Sequence, residues 1–352
     1  YPDGTLQEGG GIVFSDASGW NFGRHGDPDR PEVNFVREVD YCSAACLLVR
    51  KDTWDELGGF DVRYAPAYYE DTDLAFALRE IGKSVIYQPA AVVTHFEGIS
   101  HGTDETQGMK AYQVRNQAAF QQKWLEALRD QNLPGSSPRL ASWRGAGRRV
   151  LVIDHEVPAA DQDSGSVRMA AILDLLVDDG FKVSLLPQNR YRREPYCSEL
   201  LAKGVEVLHG NADIDSHLFD IRSDLAFVIV SRPNVAQEFI PLLRRLAPEV
   251  PVVYDMVDFH GLRLKRRSET RGDSADLEES TQIAKMEQRF ARDSDHVLAI
   301  TADEAELMQE LEPKARISVL PNIHRSQPSK ALFDDRNGVL FIGSYRHVPN
   351  QD

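Results

Sequence analysis

Cysteine is scarce in this sequence, with three residues in 352, and no C-x-x-C pair is present. So few cysteines cannot build the disulfide framework of a small secreted domain. Apolar runs are also short, and none approaches the ~18 residues that a membrane-spanning helix requires. These absences predict a cytoplasmic protein of a reducing compartment, with at most peripheral contact at the inner face of a membrane.

Basic residues are outnumbered, 40 Lys and Arg against 55 Asp and Glu, and the net charge is −15 at pH 7. A basic surface is the electrostatic requirement for binding a polyanion, so this balance argues against nucleic acid as a partner. The composition is otherwise ordinary for a globular protein, and the length suits two domains.

A seam divides the chain at "NLPGSSPRLASWRGAGRR" (132–149), which is rich in Pro, Gly, Ser and Arg and lacks periodicity. Such a composition is typical of an interdomain linker. We therefore predict a first domain over 1–131, a linker over 132–148 and a second domain over 149–325. The start of a further, truncated domain would occupy 326–352.

The second domain alternates strand and helix patterns. "RVLVIDH" (149–155) is a near-continuous apolar run, as expected of a parallel strand that is covered on both faces. Short apolar runs then alternate with helical patterns over 166–179, 234–246, about 277–291 and 302–311. A capping box, "TADE", begins the last of these helices. The alternation predicts an α/β fold with a doubly wound parallel sheet.

The first domain has a more mixed pattern. "YCSAACLLVR" (41–50) predicts a buried strand, and "DTDLAFALREIG" predicts an amphipathic helix that ends at Gly82. "KSVIYQP" and "AAVVTH" predict two short strands. A longer helix is predicted from about Thr106 to Arg129.

Three carboxylates are crowded into "YYEDTDLA" (68–75), namely Glu70, Asp71 and Asp73. Acidic side chains are favoured in the first turn of a helix, where they accept hydrogen bonds from free N–H groups. A metal site or a proton acceptor is the alternative, and either needs a partner. His95 is a candidate, because it ends the second predicted short strand, although a lone histidine there is more often structural.

The ordered set of "YCSAACLLVR", "LGGFD", "YYEDTDLA" and "VVTH" resembles the acceptor-side half of an inverting family 2 glycosyltransferase of the GT-A fold, over roughly residues 1–125. The resemblance implies that Asp71 is the general base for an acceptor hydroxyl and that Glu70 orients the site, which leaves Asp73 as the helix cap. It also implies that His95 helps to hold Mg²⁺ or Mn²⁺ on the donor diphosphate.

Residues 149–352 resemble the N-terminal Rossmann-like domain of a family 4 glycosyltransferase of the GT-B fold, followed by the first strand of its partner domain. The stretches "RVLVIDHEVPAADQDSGSVRMA", "VVYDMVDFHGLRLKRR", "ISVLPNIH" and "GVLFIGSYRH" carry this resemblance. It implies no metal here, donor contacts by Gly343 and Ser344, and acceptor or phosphate contacts by Gly165, Arg168, Asp258 and His260. As single residues, Arg168, Asp258 and His260 are about equally consistent with ordinary surface positions.

Together, the resemblances predict a segment of a bifunctional glycosyltransferase. The parent would transfer a sugar from a nucleotide-sugar donor to a glycan or lipid-linked glycan in cell-surface polysaccharide synthesis. The GT-A fold also needs a D-x-D metal motif, and none of the five D-x-D matches directly follows an apolar strand run. We therefore expect little or no transfer by this chain alone.

Two other function classes stay open. A metal-dependent hydrolase would use Asp71, Asp73 and His95 as ligands, and would bind metal without a nucleotide. A non-catalytic glycan-binding scaffold would bind saccharide whether or not Asp71 is replaced by Asn.

Overall fold

A computed structural model describes residues 1–96, 111–145, 147–271, 274–324 and 332–339. The chain forms two compact units, Tyr1–Arg149 with Ser198–Leu225, and Val150–Cys197 with Ala226–Asp352. The first unit therefore includes residues beyond the predicted boundary at 131. Which family each unit belongs to stays a prediction.

Among the described residues of the first 145, the chain forms short strands and four α-helices. The strands form two antiparallel pairs, β1 with β2 and β3 with β4. The elements are β1 (Gly11–Val13), β2 (Gly19–Asn21), β3 (Arg37–Glu38), α1 (Lys51–Leu57), α2 (Glu70–Glu80), β4 (Ile86–Tyr87), α3 (Ala111–Lys123) and α4 (Pro138–Ala141). Turns of 3₁₀ helix lie at Pro31–Val33, Ala44–Cys46, Val62–Tyr64 and Ala127–Asp130.

Aromatic side chains of α2 and α3 build the core of the first unit. Phe76 packs edge-on against Phe120, with ring centroids 4.9 Å apart, and its ring centroid lies 5.6 Å from that of Trp124, which directly follows α3. Gly82 follows the last turn of α2 with a φ of 73°, a left-handed conformation that glycine adopts without strain. The predicted helix and its end are confirmed.

Two strands predicted in this unit are wrong. Residues 41–50 contain a 3₁₀ turn at Ala44–Cys46, because Ser43 caps it by accepting a hydrogen bond from the Ala45 amide, and Leu48 is 98% exposed. Residues 90–95 also form no strand, and Val92 is 83% exposed. An apolar run becomes a strand only where a neighbouring strand continues the backbone pairing. Among the described residues, the run 41–50 has a single antiparallel bridge, between Tyr41 and Gly11, and residues 90–95 have none.

The segment predicted as a linker is folded where it is described. Helix α4 lies within it, and the buried Trp143 packs against Phe35 at a centroid distance of 4.6 Å. Arg144 forms an ion pair with Asp40, and Arg139 forms one with Glu206. These contacts make residues 132–145 part of the first unit rather than a flexible tether.

The second half of the chain forms a seven-stranded sheet of order β11-β10-β9-β8-β5-β6-β7. The pairs β8–β9, β9–β10 and β10–β11 are parallel. Its strands are β5 (Arg149–Asp154), β6 (Lys182–Pro187), β7 (Glu206–Val207), β8 (Leu225–Ser231), β9 (Val252–Asp255), β10 (His296–Ala299) and β11 (Ile317–Val319). Its helices are α5 (Ser164–Asp178), α6 (Tyr196–Ala202), α7 (Ile214–Ile221), α8 (Pro233–Leu246), α9 (His260–Arg271), α10 (Ser274–Asp293) and α11 (Ala302–Leu311).

This strand order confirms a doubly wound, Rossmann-like sheet. The chain runs outward from β5 through β6 and β7, and then returns to place β8 on the other side of β5. Ligands of such sheets bind where this reversal occurs, beyond the carboxyl ends of the strands. The predicted capping box is also confirmed, since Thr301 and Glu304 bond reciprocally at the start of α11. No helix of the described ranges is long and apolar enough to cross a membrane.

Candidate functional site

Asp71 lies in the first turn of α2, directly after a strained loop. Tyr68 and Tyr69, which immediately precede the helix, have φ values of 73° and 75°, a left-handed conformation that is unfavourable for bulky side chains. The buried Asn116 of α3 holds the loop, because its Nδ2 donates to the carbonyls of Tyr64 and Ala67 at 2.8 and 2.9 Å. Strain held in place by buried contacts is typical of functional sites.

The Asp71 carboxylate has a defined orientation. Its Oδ2 accepts a hydrogen bond from the Ala44 amide at 3.0 Å, and its Oδ1 accepts one from the Thr72 amide at 2.7 Å. Oδ1 also accepts a hydrogen bond from the Thr72 hydroxyl at 3.2 Å, whereas Oδ2 has a second lone pair that can accept a further donor. Asp71 is thus fixed and still able to receive a substrate hydroxyl or a proton.

Glu70 lies beside Asp71 in the same turn, and its Oε2 is buried with no hydrogen-bond partner among the described residues. Burial raises the pKa of this carboxyl, and the neighbouring charge of Asp71 raises it further. The predicted orienting role of Glu70 stays a prediction.

Asp73 does not cap α2 and does not join Asp71, which corrects its predicted role. Its side chain is buried and accepts hydrogen bonds from the Trp124 indole at 2.7 Å and the Tyr64 hydroxyl at 2.9 Å. It also forms an ion pair with Lys123 at 2.8 Å. Residues two apart on a helix face different directions, so Asp73 faces the core while Asp71 does not.

We predict that Asp73→Ala lowers the free energy of unfolding by about 2–4 kcal/mol, because two buried donors and one ammonium group lose their acceptor. Urea unfolding followed by tryptophan fluorescence measures this, since all four tryptophans lie in the first unit. The matched control is Asp52→Ala, whose side chain is exposed. A change below about 0.5 kcal/mol, as surface substitutions give, would contradict the structural role.

His95 is tied to the N-terminal segment of the chain. Its Nδ1 lies 2.8 Å from Oε1 of Gln7, so a metal would have to bind through Nε2. The described residues contain no group of three His, Cys, Asp or Glu side chains that could hold a metal ion. These side chains therefore do not fit a metal site formed by protein alone, and the proposed hydrolase ligand set of Asp71, Asp73 and His95 is not assembled.

Glu8 is a site residue that the sequence did not indicate. Its Oε1 accepts a hydrogen bond from the Ser43 amide at 3.1 Å, next to the Ala44 amide that binds Asp71. Burial raises the pKa of Glu8 to about 7, and the charge of Asp71 contributes. The only local signal is a carboxylate in the glycine-rich stretch "QEGGG", which by itself predicts no function.

In the second unit, Arg168 is an internal ion-pair residue. It is 1% exposed, its Nη1 lies 2.6 Å from Oδ2 of the fully buried Asp255, and its Nε donates to the Leu320 carbonyl at 3.3 Å. A buried guanidinium that is occupied in this way gives no support to the predicted contact with substrate.

Gly165 lies near the reversal of the sheet, at the start of α5. A Cβ added there would lie 2.9 Å from Nη2 of Arg232, which itself bonds to Asp154 at the end of β5. Arg232 follows β8 with a φ of 78°, a strained conformation for arginine. The structure therefore brings Gly165 together with Arg232 and Asp154, two residues that the sequence did not indicate.

Asp258 and His260 lie at the start of α9, where other groups of the same chain already bond to their polar atoms. Nδ1 of His260 lies 2.8 Å from the Asp258 carbonyl, and the Asp258 carboxylate pairs with Arg263. The buried Glu287 accepts hydrogen bonds from the His260 and Gly261 amides, both at 3.0 Å. Its carboxylate thus occupies the helix N-terminus that a phosphate would otherwise use. Gly343 and Ser344, the predicted donor-binding residues, lie outside the described residues.

Known proteins share parts of this sequence. A stretch of 76 residues is 40% identical to N-acetylglucosaminyl-diphospho-decaprenol L-rhamnosyltransferase of Mycobacterium tuberculosis, in two strains. The match covers 22% of this chain and 24% of that enzyme. A stretch of 150 residues is 26% identical to the uncharacterized protein y4gI of Sinorhizobium fredii, over 40% of this chain and 16% of that protein. No protein-family model matches the sequence.

The similarity to the rhamnosyltransferase supports a glycosyltransferase at the level of broad class. It covers only about a quarter of that enzyme, so the tandem arrangement of two transferase modules stays a prediction.

Proposed function

We propose that this chain belongs to a cytoplasmic glycosyltransferase that acts in cell-wall polysaccharide synthesis. The enzyme would transfer a sugar from a nucleotide-sugar donor to a hydroxyl of a glycan or lipid-linked glycan acceptor. The similarity to a rhamnosyltransferase supports this class, and it favours L-rhamnose as the sugar and an N-acetylglucosaminyl diphospho-lipid as the acceptor.

The placement of Asp71 carries the proposal for the first unit. A general base must be held in position and keep a free lone pair, and the amides of Ala44 and Thr72 hold Asp71 in this way. The acceptor oxygen would attack the anomeric carbon as the bond to the donor phosphate breaks, and the hydroxyl proton would pass to Asp71. Attack opposite to the leaving group gives inversion of the anomeric centre.

For the second unit, we propose the N-terminal domain of a GT-B transferase with its substrate near Gly165. The order of the seven strands supports this, because the reversal of the sheet lies beside that residue. Donor contacts by Gly343 and Ser344, and acceptor contacts by Asp258 and His260, belong to the same proposal.

A divalent metal on the donor would be held chiefly by the diphosphate, with His95 as one protein ligand. Mg²⁺ in nucleotide sites usually takes one or two protein ligands and several substrate or water oxygens. The ion would neutralise charge on the leaving diphosphate.

We predict that, in the parent protein, His95→Ala weakens Mn²⁺-dependent binding of the nucleotide-activated L-rhamnose donor by about tenfold, the effect of losing roughly 1.4 kcal/mol. Isothermal titration with and without Mn²⁺ measures this. The control is His296→Ala, since His296 lies in the second unit and bonds to Ser318. Unchanged Mn²⁺ dependence in His95→Ala would show that His95 is not a ligand.

The proposed function is tested by a transfer assay. Because this chain is predicted to be a segment, transfer is measured with the whole parent protein, a nucleotide-activated L-rhamnose and an N-acetylglucosaminyl diphospho-lipid. Release of nucleoside diphosphate that depends on the acceptor supports the proposal. Hydrolysis of either substrate without transfer would favour the hydrolase instead.

A further inference from the structure

The N-terminal segment connects the two residues that the sequence singles out in the first unit. Gln7 bonds to His95, and the next residue, Glu8, bonds to the Ser43 amide. The following amide, that of Ala44, bonds to Asp71. Two carboxyl groups are therefore anchored on consecutive amides of one turn, whose Cα atoms are about 3.8 Å apart.

Glu8 has one carboxyl oxygen that nothing in the described chain satisfies. The residue as a whole keeps some contact with solvent, but Oε2 is buried and has no hydrogen-bond partner among the described residues. A buried polar atom without a partner is unfavourable by about 1–3 kcal/mol, so its persistence points to a ligand that supplies the missing bond.

The groups around Glu8 influence whether its carboxyl group holds a proton. Asp71 is the ionisable acid beside it, and two like charges at a buried site favour a proton on one of them. Tyr41, Cys42 and Tyr87, which also face Glu8, have raised pKa values and are neutral near pH 7. Burial and the neighbouring charge of Asp71 therefore favour the protonated form of Glu8.

We propose that Glu8 and Asp71 together bind neighbouring hydroxyl groups of one sugar, with Glu8 donating a hydrogen bond to the sugar and Asp71 accepting one. This rests on the proposed function, since the sugar is its acceptor. Asp71 takes the proton of the attacking hydroxyl, and Glu8 keeps its own proton throughout. Glu8 is thus a substrate-binding residue that selects acceptors with adjacent hydroxyls.

The test is binding of N-acetylglucosamine to the chain, measured by isothermal titration at pH 6 and pH 8.5. We expect the wild type to bind about tenfold more weakly at pH 8.5, because Glu8 loses its proton. Glu8→Gln keeps an N–H donor and should bind equally at both pH values. Glu8→Leu, which has no donor, should bind about tenfold more weakly than wild type at pH 6.

Controls separate this proposal from folding effects and from the proposed function. Glu56→Gln, at an exposed position of α1, should keep the wild-type pH dependence. Far-UV circular dichroism verifies that each variant is folded, and the isosteric Glu8→Gln keeps the test valid if Glu8→Leu does not fold. For sugar analogues that lack one of two adjacent hydroxyls, the wild type and Glu8→Leu should bind with equal affinity.

Several outcomes would contradict the proposal that Glu8 and Asp71 together bind one sugar. These are no binding by wild type at millimolar sugar, equal binding by Glu8→Leu and wild type at pH 6, and the same pH dependence in Glu8→Gln and wild type. If transfer by the parent requires Asp71 while Glu8→Leu binds N-acetylglucosamine as the wild type does, then only the proposed binding role of Glu8 is wrong. If Glu8 controls binding but transfer does not require Asp71, the proposed function is wrong and the binding site stands.

Discussion

Replacing Asp71 by Asn should reduce transfer by the first module of the parent protein by roughly 10²- to 10⁴-fold, the range in which a general base contributes. The amide of Asn is not basic, so the acceptor hydroxyl would have no group to take its proton. Donor binding should change by less than about twofold, since Asp71 acts on the acceptor. Initial rates of nucleoside diphosphate release, with donor and acceptor varied separately, measure both effects.

The local structure around Asp71 makes Asn a clean substitution. The side-chain oxygen of Asn can still accept from the Ala44 amide or the Thr72 amide, so the first turn of α2 should keep its conformation. Asp55→Asn is the matched control, because that carboxylate is exposed on α1 and forms a surface ion pair with Lys51. If Asp71→Asn transfers sugar at the rate of the control, Asp71 is not the general base. If the parent binds saccharide but does not transfer sugar, a non-catalytic scaffold is favoured.

Features with local causes were predictable from the sequence. Helix α2 ends at a glycine in the left-handed conformation, and α11 begins with a capping box, so each boundary is specified within a few residues. The doubly wound sheet follows from apolar runs that alternate with helical patterns. Strand order could not be read directly, but the short connections of α/β units restrict it to few possibilities.

Features with distant causes were not predictable. The environment of Asp73 depends on Lys123 and Trp124, which follow it by 50 and 51 residues. Because Asp71 and Asp73 are chemically identical and two positions apart, only the packing of α3 assigns one to the core and the other to the candidate site. Glu8 is 63 positions before Asp71 (71 − 8), and only the turn at Ser43 and Ala44 brings the two together.

The apolar run at 41–50 fails for a related reason. Its composition is that of a buried strand, yet Leu48 is 98% exposed, and the Ser43 and Ala44 amides bond to carboxylates rather than to a strand. Composition reports the surroundings that a segment suits, whereas hydrogen-bond partners decide the conformation that it adopts. The interruption of this predicted strand is also what anchors both acidic side chains of the candidate site.

Replacing Arg168 by Met should lower the free energy of unfolding of the second unit by about 3–5 kcal/mol, the usual range for removing one partner of a buried ion pair. The remaining carboxylate, Asp255, is fully buried, and its other contact is the Ser231 hydroxyl at 3.1 Å. Oδ1 of Asp255 has no hydrogen-bond partner among the described residues, so no further donor offsets the loss. Urea unfolding followed by far-UV circular dichroism measures the change.

The double variant Arg168→Met with Asp255→Asn separates a structural role from a substrate-binding one. Removing both charges leaves no unpaired ion in the interior, so it should recover more than half of the stability that Arg168→Met loses. The control is Arg263→Met, whose partner Asp258 and own side chain are both partly exposed; it should change stability by less than about 1 kcal/mol. If Arg168→Met unfolds like wild type but no longer binds the acceptor, Arg168 contacts substrate as the sequence resemblance implies. If stability falls and the double variant restores it, the buried pair exists to hold the carboxyl edge of β9 against α5.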